Sequence, residues 1–126
     1  IWNGSSWHWA KQTLKEYLAD YRYNKEIGGT SLYGIPIPTD DRSKSLITGA
    51  YNKAIQENDL TITKTFKING NFIQLTNAMI IAVGLAVAEH VQKCFDCEAT
   101  VYSGIDNDTH TTKELVAAAF DTAWEE

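Results

Sequence analysis

The residues best placed to do chemistry are His90, Cys94 and Cys97, in the order His-x-x-x-Cys-x-x-Cys. Steps of four and three put all three on one face of a helix, and histidine with thiolates is a zinc ligand set. Against a metal centre, structural zinc thiolates sit in turns, where backbone amides support the sulfurs, and no fourth ligand follows beyond Glu98. A redox Cys-x-x-Cys opens a helix after a strand, whereas this pair falls well inside a helical stretch. The expectation is two small buried thiols and a histidine along a packing seam, in a chain that matures in a reducing compartment.

Other candidates fail on spacing. Asp106, Asp108 and His110 in "GIDNDTHTTKE" place acids at alternate positions, as calcium loops do, but the central glycine and terminal glutamate of such a loop are missing. A solvated turn before the last helix is the simpler reading. No Gly-x-Ser-x-Gly elbow exists, and "YGIPIPTDDRSKS" lacks the glycine spacing and the Gly-Lys-Ser/Thr ending of a phosphate loop. No catalytic residue, metal ligand set or cofactor is therefore assigned.

Composition narrows the partners. Eleven Lys and Arg against sixteen Asp and Glu leave a net charge of −5, and the basic residues stand singly, so neither nucleic acid nor an anionic membrane is expected. The most apolar passage, Met79 to Val91, is interrupted by Gly84, Glu89 and His90 and is shorter than the roughly 20 residues of a membrane span, so no membrane insertion is expected. At 126 residues the length suits one domain with its own core.

The elements that must position these groups follow from periodicity. Leu14, Tyr17, Leu18 and Tyr21 recur at helical spacing from Ala10 to about Asn24, and Gly28-Gly29 ends the run. "TSLYGIPIPT" predicts a hairpin turning at Tyr33-Gly34, with Pro36 and Pro38 confining its second strand to an edge. A helix from Asp41 to about Glu57 should be capped by Thr39 or Asp40, whose side-chain oxygen would accept the amide of Ser43. "TITKTFKINGNFIQL" predicts a second hairpin at Asn69-Gly70. A long helix from Thr76 to about Gly104 follows, then a final one capped near Thr111 or Thr112, with Glu114 reaching back. The class is α+β: two short β-hairpins and three to four helices, one of them long, with a small aromatic hairpin in front. That front piece, residues 1–10, holds Trp2, Trp7 and Trp9 around an Asn3-Gly4 turn and is expected to be a connector or a glycan contact; residues 11–126 are expected to form one domain.

The long helix raises the question of a partner. Ile80, Val83, Val87, His90, Cys94, Cys97 and Val101 follow alternating steps of three and four. A helix on the order of 40 Å long at about 1.5 Å per residue exceeds what so small a domain covers alone, so this stripe is expected to meet another copy. The chain starts at Ile1 rather than Met, as expected of a piece cut from a longer polypeptide.

The order of segments carries a resemblance. A Trp-Asn-Gly-x-x-Trp start, Arg22-Tyr23-Asn24 leading to Gly28-Gly29, "GIPIPTDDRSKSLITGAY" and "FKINGNFIQLTNAMIIAVGLAVAEHVQKCFDCE" together resemble a domain-of-unknown-function family of bacteriophage tail and tail-fibre proteins. The likeness covers about residues 20–120, with Asp40 and Ser43 at the helix start and Met79, Ile81, Ala82, Val83 and Gly84 opening the long helix. Cys94 and Cys97 match no motif of it. The resemblance implies a non-enzymatic virion component, made in the host cytoplasm and carried in the tail. Its expected partners are further copies of itself, a trimer being favoured, and other tail or baseplate proteins; a host surface glycan or an assembly-chaperone role are the alternatives.

Overall fold

The computed structural model describes residues 10–126. The elements run α1 (Lys11–Glu26), β1 (Thr30–Leu32), β2 (Ile35–Ile37), α2 (Asp41–Glu57), β3 (Thr63–Ile68), β4 (Asn71–Thr76), α3 (Asn77–Asp106) and α4 (Lys113–Glu125). The class is α+β, with four helices and two separate antiparallel hairpins, as the periodicity predicts. The aromatic hairpin expected around Trp2, Trp7 and Trp9 lies outside the described residues. The chain groups into two compact units, one of the stretch ending at Lys25 with Gln92–Glu126, the other of Glu26–Val91.

In the first unit, helical spacing turns Leu14 and Leu18 of α1 toward Cys97, Val101 and Ile105 of α3 and Val116 and Phe120 of α4. Tyr21 meets Phe120 edge-on at 5.4 Å between ring centroids, and Phe120 stacks on Trp124. Polar ties run along the rim: Lys15 to Asp106 at 2.7 Å, Arg22 to Glu98 at 2.9 Å, and the Tyr21 hydroxyl donating to Asp121 at 2.8 Å. The hydrogen bond to Asp121 and burial push the Tyr21 phenol up to about 12.

The second unit is built on the two hairpins. Both turn on paired positive φ angles, Tyr33 with Gly34 and Asn69 with Gly70, the backbone a two-residue connection needs to match the twist of its strands. Residue pairing runs from Thr30↔Ile37 to Leu32↔Ile35 in the first and from Thr63↔Thr76 to Ile68↔Asn71 in the second. Ile37 packs with Val83 and Val87 of α3, while Leu75 packs with Ala54 of α2 and Ile80 of α3. Gly84 lets α2 approach α3: a Cβ there would lie 2.6, 2.9 and 3.0 Å from three atoms of the Tyr51 side chain.

Two expectations change. The stripe from Ile80 to Val101 was expected to meet another copy, but Ile80, Val83, Val87, His90, Cys94, Cys97 and Val101 are all buried within this chain. The hairpins and helices named above fill that seam, so it is not open to a partner. The helix is also longer than the apolar run suggests: an 18-residue window of α3 has mean hydropathy 1.4 with 28% of it buried, so length and composition alone would let it cross a membrane.

Candidate functional site

His90, Cys94 and Cys97 do share one face of α3, but they do not converge on a metal. His90 Nε2 lies 3.1 Å from the Glu26 carbonyl, and since a carbonyl only accepts, that nitrogen carries the proton. Cys94 and Cys97 are buried free thiols, and burial pushes the Cys97 thiol up, away from the reactive thiolate. Among the described residues no group of three His, Cys, Asp or Glu side chains is arranged to hold a metal ion.

The Glu26 carbonyl is a junction. It accepts from the Thr39 hydroxyl at 2.6 Å as well as facing His90, while Thr39 Oγ1 accepts the Gly29 amide at 2.8 Å. Thr39 thus completes the end of α1, and the start of α2 falls to Asp40 instead. Asp40 Oδ2 accepts the Ser43 amide at 3.1 Å and Oδ1 accepts the Ser43 hydroxyl at 2.6 Å. Those two bonds from Ser43 hold the Asp40 carboxyl below its ordinary range. The Glu26 carboxylate pairs with Lys44. Burial alone would lower the Lys44 ammonium, but the hydrogen bond and charge of Glu26, with Asp41 at 3.4 Å, hold it above its usual value.

The acid-rich turn is likewise spent on structure. Asp106 and Asp108 bind Lys15 and Lys11, and Lys11 Nζ also donates to the Asp106 carbonyl at 2.8 Å, a cation at the negative end of α3. The amides of Thr109 and His110 close on the Gly104 carbonyl at 2.8 and 3.1 Å, and Thr112 caps α4. Spacing gave no hint of Asn77. It is fully buried, and its Nδ2 donates to Glu57 at 3.2 Å and to the Asp59 carbonyl at 2.9 Å; only the folded turn brings those groups together.

What remains open in the second unit is apolar. Between α2 and β3 runs a trough bordered by Leu46, Ala50 and Phe66, because Ser45 and Gly49 put no bulk there; nothing lies within 4 Å of a Cβ built on Gly49. It continues into a hollow of about 110 Å³ reaching Ile37, Leu75, Ile80 and Val83. Lys53 and Lys64 stand at the trough and Lys67 at the hollow, and no acidic residue lines either. The hollow is well under the roughly 300–1,000 Å³ of a small-molecule pocket, whereas the trough, at about 430 Å³, falls inside that range.

The chain belongs to the Domain of unknown function (DUF4376) family, whose profile matches residues 10–124. No curated protein and no solved structure matches it.

Proposed function

We propose that this domain is a structural and interaction module of a tailed-phage tail or tail-fibre protein, with no catalytic activity of its own. The observation that carries the reading is the order of its segments, from "GIPIPTDDRSKS" through "FKING" to "MIIAVGLAVAEHV". The chemistry of the chain is compatible with it. His90, Asp40, Asp106 and Lys44 serve turns, caps and helix ends, while Leu46, Leu85 and Phe95 are apolar and at least 46% exposed. Surface of that kind suits assembly with identical copies and with other tail or baseplate proteins in the virion. Mass spectrometry of purified particles tests this: peptides of the parent protein should be recovered with the tail. Their absence from particles, with abundance in the infected cytoplasm, would refute it in favour of an assembly chaperone.

One observation favours a second reading, a module contacting host surface glycan. Tyr33 is 71% exposed at the tip of the first hairpin, an aromatic face in the open that could stack on a sugar ring. Trp2, Trp7 and Trp9 would belong to the same reading. A glycan array probed with the wild-type chain and Tyr33→Ala decides it, since a signal the substitution does not reduce would count against the hairpin tip.

A further inference from the structure

The second unit carries two uncovered apolar features of opposite charge. One is the trough between α2 and β3, with Leu46, Ala50 and Phe66 at its border, small residues at Ser45 and Gly49, and Lys53 beside it. The other is a ridge on α3, where Ala78, Leu85 and Ala88 stand exposed along one side, flanked by Ile81, which is half-buried against Ala54, Leu75 and Ile80. Leu85 is 50% exposed, Ala78 and Ala88 are exposed, and Glu89 stands exposed next to them. Among the described residues neither Lys53 nor Glu89 forms an ion pair within 4 Å, and Lys53 acts on Glu57 only through its charge.

We infer that the trough of one copy receives the α3 ridge of a second copy, with Lys53 facing Glu89 across the contact. Small residues on α2 leave a channel into which a helix ridge can pack, and side chains in i±3 and i±4 rows are the shape that fills such channels. The Lys53 ammonium of one surface and the Glu89 carboxylate of the other set the register, and wrong pairings place like charges together. Trough and ridge are different surfaces of the chain, so a contact of this kind runs head to tail and builds either a closed ring or an open row of copies. This inference rests on the reading of the domain as an assembly module and specifies the surface through which it assembles.

The test is the mass of the chain in solution, by light scattering across a concentration series. The wild type should associate, more weakly as salt rises, because the steering pair is solvent-exposed. Lys53→Glu and Glu89→Lys should each weaken association about tenfold by turning attraction into repulsion. Combining both substitutions in one chain restores opposite charges and should restore the mass. Gly49→Leu fills the channel at a position with room for it and should give a folded monomer, folding being checked by melting. A wild type that stays monomeric, or that instead binds phosphatidylcholine–phosphatidylglycerol vesicles as a monomer, overturns the contact and the self-assembly it rests on. An assembly whose mass none of the substitutions changes, or one that the double substitution fails to restore in a folded chain, overturns this contact alone.

Discussion

Two helical glycines, Gly49 and Gly84, should respond to alanine with opposite signs. Glycine inside a helix costs about 1 kcal/mol relative to alanine, so each substitution starts with that gain. At Gly49 nothing lies within 4 Å of the new methyl, and the gain is kept. At Gly84 the methyl would stand 2.6 Å from Tyr51 Cδ2, 2.9 Å from Cγ and 3.0 Å from Cβ. Rotating the ring moves Cδ2 but leaves Tyr51 Cβ, which is fixed to the α2 backbone, so the two helices must separate. Overpacking of this kind costs about 1–3 kcal/mol, which offsets or exceeds the propensity gain, and the net expectation is a loss of up to about 2 kcal/mol. At about 4 °C per kcal/mol, Gly84→Ala should melt up to about 8 °C below the wild type and Gly49→Ala about 4 °C above it. Urea unfolding followed by circular dichroism provides the second measure. Adding Tyr51→Ala to Gly84→Ala should remove most of the non-additive penalty in a double-mutant cycle. If Gly84→Ala stabilises as much as Gly49→Ala does, the close approach of α2 and α3 at Tyr51 is wrong.

Further expectations concern charge and the core. The Tyr21 phenol, raised to about 12 by its hydrogen bond to Asp121, favours its neutral form when folded. Its contribution is complete below the unfolded value near 10 and is lost as pH climbs through about 12, so in an absorbance titration one tyrosine of the six should ionise late, and Asp121→Asn should bring it forward. Asp40 has a lowered folded value, so its cap is intact above the ordinary carboxylate range and is lost as pH falls through the folded value. Asp40→Ala should lower the melting temperature at neutral pH and flatten the acid limb of a stability profile, while Asp40→Ser should recover part of the loss. Val87 is 6% exposed beside Ile37 and Val83, so Val87→Asp should destabilise by at least about 3 kcal/mol; an unchanged melting curve would contradict its burial.

The fold was legible wherever one short stretch sets its own backbone. Asn69-Gly70 turns the second hairpin because both residues accept positive φ, Gly34 gives the first its glycine turn while Tyr33 takes φ 53° beside it, and Asp40 caps α2 through a residue three positions on. Partner choice was less legible. A three-and-four spacing shows that Ile80 and Val101 share a face of α3 but not what lies opposite, and here the chain itself covers both. Thr39 shows the limit in miniature: its type suits a helix start, yet the return of the chain after the first hairpin brings it to Glu26 and Gly29, where it finishes the preceding helix. The trough was hidden for the same reason, since Leu46 and Phe66 border it from segments twenty positions apart.

The division into two units has a consequence for the order of synthesis. Glu26–Val91 is one uninterrupted stretch, and its pairings close over short loops, so it can acquire its hairpins while the ribosome is still adding the rest. The other unit joins both ends of the described chain: Tyr21 waits for Asp121, 100 positions later, and Lys11 for the Asp106 carbonyl, 95 positions later. Closing those spans is slow because chain entropy is lost before any contact repays it. Until α4 emerges, Leu14 and Leu18 lack Val116 and Phe120 as cover, and α1 waits as the exposed, aggregation-prone part of a half-made domain.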